Sequence, residues 1–299
     1  MMEPRFKKVA IIGVGLIGGS LAMVMRRKGL SGSITGIGRG QANLEAALKL
    51  GIVDEITRDV AEGVRGADLV VVATPVLKIP GAIKAAAPHL APPCIVTDVG
   101  SVKEAMIPEI EAALPEGVAF VPGHPIAGTE NSGAEAAFPE LFIDRVCILT
   151  PTKNTTPAAH AAIKALWEAA GSRVVTMDAA SHDRVLAAVS HLPHMIAYTL
   201  VNTVADFGGK ADEAALDEIL GYSAGGFRDF TRIASSSPEM WADICSMNRA
   251  CILEAIDEFA KRLETLKRLI SNEDLFGMRE EFGRAKRIRD SLLKRGPAR

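Results

Sequence analysis

The sequence predicts an N-terminal α/β domain with a mostly parallel sheet over residues 1–178, followed by an all-α domain over 179–299. Three observations carry that reading. A short apolar run, Val9–Ile12, leads straight into Gly13-Val14-Gly15-Leu16-Ile17-Gly18 and then into the helix-forming stretch Leu21–Lys28. Apolar strands and helical stretches alternate through the first half, a pattern that implies parallel strands with helices on both faces. After Ser181 the apolar residues take helical spacing, at Val185, Leu186, Val189, Leu192, Ile196 and Leu200. A length of 299 residues also suits two domains better than one core.

The first element is strand, tight glycine turn and helix. Gly13 permits the turn, Gly15 lets backbone approach a pyrophosphate, and Gly18 lets helix and strand pack closely. N–H groups at the helix start then face an anion. Gly13, Gly15, Leu16, Ile17 and Gly18 are therefore the candidate dinucleotide-binding residues, and the first domain reads as Rossmann-type. The competing reading is a glycine-rich turn that only packs. Ser33–Ile37 is a second strand, followed by a helix over Gln41–Leu50. In many NAD-binding folds an Asp or Glu at this strand end holds the ribose hydroxyl. Here the end is Gly36-Ile37-Gly38-Arg39. A guanidinium suits a 2′-phosphate, although Arg39 can equally stack on adenine, so the cofactor is NADP or NAD with NADP favoured.

Leu69–Ala73 is a strand with the continuous apolar run of an element buried on both faces. It ends at Thr74-Pro75, both placed at the cofactor. Cys94–Thr97 ends in Asp98-Val99-Gly100-Ser101-Val102-Lys103, and Val118–Val121 ends in Pro122-Gly123-His124-Pro125. Right-handed crossovers put these strand ends on one edge, where ligands bind. Thr74, Ser101 and His124 are thus expected to converge. His124 carries the side chain whose ordinary pKa, about 6.5, suits proton transfer near neutrality, so it reads as a general base. Its competing role is to satisfy loop backbone. Ser101 would bond the same substrate hydroxyl, serve at the cofactor or orient the imidazole; capping a helix that begins near Lys103 is its alternative.

Arg145–Leu149 and Arg173–Met177 read as strands separated by a helix from Pro157 to Ala170. Ser181–Asp206 reads as a helix about 39 Å long. Pro193 denies a hydrogen bond to the Val189 carbonyl and predicts a kink beside His191 and His194. That His-x-x-His pair lacks a third ligand at sensible spacing, so no metal is expected. His182 and Asp183 read as structural. Gly221–Gly226 forms a loop delivering Arg228 and Arg232, which lie one helical turn apart and could both face one anion, with plain surface positions as the competing reading. Ser237-Pro238 starts a helix. Helices continue to about Ile270, with Ser271 capping a last one. Trp241, Ile244, Leu253, Ile256, Phe259, Leu263 and Leu266 are assigned to core and subunit interface.

A hydrophobic content of 48% with 23% charged residues is ordinary for a globular chain. A net charge of −2 gives no global field for nucleic acid or anionic membrane. The basic residues Arg284, Lys286, Arg287, Arg289, Lys294 and Arg295 read as a solvated helix face. Cys94, Cys147, Cys245 and Cys251 form no Cys-x-x-Cys pair, which predicts reduced thiols and a cytoplasmic location. The first strand begins too early for a signal peptide. No run approaches the roughly 20 apolar residues of a membrane helix. Neither nucleic acid nor membrane is therefore an expected partner.

Several motifs now stand in order: DVGSVK at Asp98–Lys103, His124-Pro125-Ile126-Ala127-Gly128-Thr129-Glu130-Asn131-Ser132-Gly133, Ser190-His191-Leu192-Pro193-His194, Gly225–Ala234, and Pro238–Ile244 with Asn248. Through them, residues 8 to 270 resemble the prephenate and arogenate dehydrogenases of tyrosine biosynthesis. The resemblance implies oxidative decarboxylation of prephenate to 4-hydroxyphenylpyruvate, or of arogenate to tyrosine, with NAD(P) reduced. It implies that His124 takes the ring-hydroxyl proton with Ser101 as companion, and that His194, Thr129, Arg228 and Arg232 bind substrate. Arg232 would anchor a carboxylate; the side-chain carboxylate suits catalysis, since gripping the departing one would favour the ground state. A homodimer through the C-terminal helices is also implied. The chain leaves room for neither a fused chorismate mutase nor an ACT domain, so feedback through a separate domain is not expected. A β-hydroxyacid-type dehydrogenase would typically place a catalytic lysine on the second domain, and no such motif is seen. A non-catalytic nucleotide sensor would lack the base or the anion anchor, yet His124 and Arg232 are both present.

Overall fold

The computed structural model describes residues 5–129, 131–207 and 219–295; Glu130 of the histidine motif lies outside them. The chain opens with β1 (Phe6–Ile12), α1 (Leu16–Arg27), β2 (Ser31–Ile37) and α2 (Gln41–Lys49). Next come β3 (Glu55–Thr57), α3 (Val60–Val64), β4 (Leu69–Val72), α4 (Ile79–Ala86), β5 (Ile95–Asp98), α5 (Ile107–Ala113) and β6 (Ala119–Val121). These six strands form one sheet in the order β3-β2-β1-β4-β5-β6, every neighbouring pair parallel. That is the doubly wound order in which ligands bind beyond the carboxyl ends of the strands. All four residues of β4 are buried, as an interior parallel strand requires.

A second sheet departs from the sequence reading. His124 lies on the short strand β7 (Gly123–Pro125) rather than on a loop. β7 pairs antiparallel with β8 (Val146–Leu149), which pairs parallel with β9 (Arg173–Thr176), and α6 (Pro157–Ala169) lies between them in sequence. Pro122 supplies the carbonyl that receives Thr150 N–H, so pairing changes partners within one residue of β6. Sequence reading also omitted β3, α3 and α4; β3 and α3 are too short to display a period.

The long helix is not continuous. α7 (Ala179–Leu186) passes into a π turn over Ala187–His191 and then α8 (Leu192–Phe207). Leu192 N–H bonds the Ala187 carbonyl five residues back, one residue before the proline that cannot donate. Nor is the predicted apolar stripe uniformly buried: Leu186 is buried while Val189 is 69% exposed. Among the described residues there follow α9 (Gly225–Thr231), a 3-10 turn (Arg232–Ser235), α10 (Pro238–Met247), α11 (Arg249–Ser271) and α12 (Leu275–Arg295). Ser237 caps α10 by accepting Met240 N–H, as expected. Asp274, not Ser271, receives Gly277 N–H at the start of α12.

Two apolar cores flank the main sheet. One of them includes Ala187, Trp241, Ile244 and Ile252 beside Val70, Val72 and Phe120, so the helical region packs directly on the sheet. Leu253, Phe259 and Leu263 remain exposed on α11. The four cysteines are free thiols, with Cys94 and Cys147 buried. No described helix is long and apolar enough to cross a membrane.

Candidate active site

A cavity of about 870 Å³ opens at the carboxyl ends of the strands. Thr74 after β4, Ser101 after β5 and His124 on β7 all line it, so the expected convergence occurs. Its walls also include Gly15, Leu16, Ile17, Arg39, Pro75, Thr129, His194 and Arg232. Gly13 and Gly18 are not among the lining residues and act through packing. Gly13 has φ +98°, and a Cβ there would sit 2.5 Å from the Ala73 carbonyl oxygen. A Cβ on Gly18 would sit 2.3 Å from the Gly13 oxygen. Gly15 meets nothing within 4 Å.

The start of α1 fits a dinucleotide phosphate. Gly15 is its N-cap with no side-chain cap, and no acidic residue lies in the first turn. Its leading N–H groups therefore face the cavity without competition from a side chain. The buried Thr74 Oγ1 and Trp241 Nε1 lack a protein partner, and both residues line the cavity. Gly15→Ala is expected to melt like the parent while raising the cofactor Kd about tenfold. Gly18→Ala forces backbone apart and should lower both stability and cofactor binding. Thermal melting and fluorescence titration check the pair; equal melting losses in both variants would contradict this division.

His124 is 8% exposed and its Nδ1 lies 2.8 Å from His182 Nε2. His182 Nδ1 in turn lies 2.7 Å from Asp183 Oδ1. Burial, first, and then the neighbouring His182, Lys103 and His191 hold the His124 pKa well below 6.5. The ring is therefore neutral at physiological pH, the form a base requires. Ser101 stands in the same cavity, yet His182 rather than Ser101 engages the imidazole. Ser101 does not cap α5 either, whose N-cap is Met106.

A buried clamp fixes the backbone under His124. Lys103 Nζ donates to the Asp98 carboxylate and, at 2.7 Å, to the Gly123 carbonyl, while Gly123 N–H reaches Asp98 Oδ1 at 3.3 Å. Burial lowers the Lys103 pKa, against the opposing pull of Asp98. DVGSVK signalled the family resemblance, but only folding reveals that its two charged ends meet. His182 and Asp183, read as structural, belong to the same constellation, as do His191 and Asn248. Asn248 Nδ2 donates to the Asp183 carbonyl at 2.8 Å and lies 3.1 Å from His191 Nδ1.

His194 stacks on Trp241, with centroids 3.8 Å apart and planes 25° apart. Its Nδ1 donates to the Ser190 carbonyl at 2.9 Å. Burial, against that bond, lowers the His194 pKa, and Arg232 adds to the lowering. Arg228 does not share the cavity wall with Arg232. The helix ends at Thr231, Arg232 turns into the 3-10 segment, and Arg228 Nε donates to Ser223 Oγ at 3.3 Å. The four-residue spacing expected to unite the two therefore does not persist. Thr129 lies at the mouth and accepts Asn131 N–H. Among the described residues no group of three His, Cys, Asp or Glu could hold a metal.

Residues 21–176 match the family model for the prephenate dehydrogenase nucleotide-binding domain, and residues 178–284 match that for the prephenate dehydrogenase dimerization domain. A cyclohexadienyl dehydrogenase of Zymomonas mobilis is 39% identical over 96% of this chain and 96% of its own. A prephenate dehydrogenase of Bacillus subtilis is 35% identical over 95% of this chain and 76% of its own. Among solved structures, Aquifex aeolicus prephenate dehydrogenase in complex with hydroxyphenyl propionate and NAD+ superposes with a TM-score of 0.88. It is 37% identical, covering 96% of this chain and 98% of that one.

Proposed function

The chain belongs to the prephenate dehydrogenase family, and from that premise we propose how its residues divide the reaction. The activity is NAD(P)-dependent oxidative decarboxylation of prephenate in tyrosine biosynthesis. The observation that carries the division of labour is a buried, neutral imidazole, His124, in one cavity with an uncapped helix start and the Arg232 guanidinium.

Gly15, Leu16, Ile17, Thr74, Pro75 and Ser101 would hold NAD(P), with Gly13 and Gly18 shaping the turn. Bound there, the nicotinamide supplies the hydride acceptor. His124 takes the proton from the ring hydroxyl as hydride leaves the same carbon, and Ser101 hydrogen-bonds that hydroxyl. Loss of carbon dioxide makes the ring aromatic, so the driving force resides in the substrate and the protein orients, accepts a proton and binds anions. Arg232 holds the side-chain carboxylate, with His194 and Thr129 beside it. Reduced-cofactor absorbance, with prephenate and arogenate each offered NAD and NADP, tests this reading. Turnover of neither substrate with either cofactor would overturn it.

NADP is the favoured cofactor. β2 ends without a carboxylate, and Arg39 lines the cavity while making no hydrogen bond or ion pair among the described residues. Arg39→Ala is expected to weaken NADP about tenfold or more, the value of a charge-assisted hydrogen bond, and NAD much less. Equal losses for both would remove Arg39 from phosphate recognition. We further assign residues 1–178 to dinucleotide binding and 179–299 to substrate binding and dimerisation. The exposed Leu253, Phe259 and Leu263 on α11 support a homodimer through these helices. Four free thiols support a cytoplasmic location.

A further inference from the structure

We propose that His182 and Asp183 are positioning residues that hold His124 in its Nδ1–H tautomer, leaving the Nε2 lone pair to receive the substrate proton. The proposal rests on the reading of His124 as the base.

Hydrogen-bond polarity fixes the direction of the chain. Asp183 Oδ1 accepts Lys103 N–H at 2.9 Å, and Oδ2 accepts Glu104 N–H at 2.9 Å. A carboxylate occupied in this way only accepts, so His182 Nδ1, 2.7 Å from Oδ1, carries the hydrogen. In a neutral ring that leaves the lone pair on His182 Nε2. His124 Nδ1, 2.8 Å away, must then donate. His182 is fully buried and is not a cavity wall, so the bond to it turns the Nδ1 edge of His124 away from substrate. His124 Nε2 has no protein partner among the described residues. The opposite polarity would need an imidazolium at the fully buried His182.

During the reaction the substrate O–H bond breaks and an N–H bond forms at Nε2. The electron pair of the O–H bond becomes the second bond of the ring carbonyl as hydride departs. The positive charge on His124 is then met through two hydrogen bonds by the Asp183 carboxylate. The groups around His124 are His182 and Asp183 from α7, Asp98 on β5, Lys103 from the segment after it, His191 from the π turn, and Cys147 on β8. Among the described residues only His182 hydrogen-bonds the imidazole itself, with Asp183 behind it. The adjacent positions 182 and 183 explain a detail of the fold as well. Asp183 ties the Lys103–Glu104 backbone to α7, so the clamp beneath His124 and its tautomer share one anchor.

The direct test is 15N–1H correlation NMR of the full-length, histidine-labelled protein at pH 7.5, with the His124 signals assigned by their loss in His124→Asn. A protonated Nδ1 and an unprotonated Nε2 on His124 are expected; the reverse pattern overturns the proposal. Kinetically, His182→Leu should lower kcat about 10²-fold with KM and cofactor Kd within about threefold. His182→Gln, whose amide oxygen can accept the Nδ1 hydrogen, should recover about tenfold of that loss. If His182→Leu keeps parental kcat while His124→Asn stops turnover, the positioning role fails and the base survives. If His124→Asn itself turns over normally, the reading of the base fails. A matching fall of kcat, KM quality and melting temperature in both His182 variants would reduce His182 to structural support and overturn the proposal.

Discussion

Replacing His124 by Asn is expected to lower kcat by about 10²–10⁴-fold, the usual contribution of a positioned base, while prephenate and cofactor still bind. Asn keeps an amide that can donate to His182, so the site should keep its shape and lose only the proton acceptor. Initial rates from reduced-cofactor absorbance, with binding followed by fluorescence, measure the two effects separately. Near-parental turnover would end the assignment. The pH profile adds an independent check. Burial holds the His124 pKa well below 6.5, so kcat/KM should stay level through neutrality and fall only as pH drops through that lowered pKa, when protonation consumes the lone pair. The same burial couples to stability. The pKa of His191 is lowered to about 4, chiefly by burial, and unfolding returns both rings to an ordinary value near 6.5. The stability tied to these neutral rings is therefore complete above pH 6.5 and declines as pH falls below it, for His191 down to about 4, because the unfolded chain binds the extra protons. Melting temperatures between pH 7.5 and 5 should decline accordingly; a rise would contradict the buried, neutral state.

Arg232→Gln is expected to raise KM for prephenate about 10- to 100-fold with little change in kcat. That range corresponds to one charge-assisted hydrogen bond held equally in ground and transition states. Arg232 lines the cavity and is close enough to His194 to lower its pKa, so a carboxylate between them would meet a cation and a stacked imidazole. The side-chain carboxylate does not change during the reaction, and its grip should cancel from kcat. Steady-state kinetics decide the matter. An unchanged KM removes Arg232 from substrate binding, and a fall confined to kcat would place its charge at the reacting carboxylate instead.

Much of this site was legible in order along the chain. Gly13-Val14-Gly15-Leu16-Ile17-Gly18 announces its turn because backbone conformation and close packing are local demands. Strand alternation put Thr74, Ser101 and His124 at one edge, since parallel crossovers leave no other arrangement. The apolar run of β4 declared an interior strand. By contrast, Arg228 and Arg232 pair only if the helical period continues, and the helix ends between them. His182 looked structural from its place near a helix start; its bond to His124 spans 58 positions. Lys103 has no role of its own in the sequence beyond closing the DVGSVK motif, and in the fold it is fully buried against Asp98 and Gly123. By itself the sequence determined the parallel α/β framework and the tight glycine turn and singled out His124 as the proposed base, because period, glycine placement and residue chemistry are encoded within short windows. Only the tertiary structure decided the second sheet, the π turn and the His124–His182–Asp183 chain, because hydrogen-bond polarity and burial arise where distant elements meet.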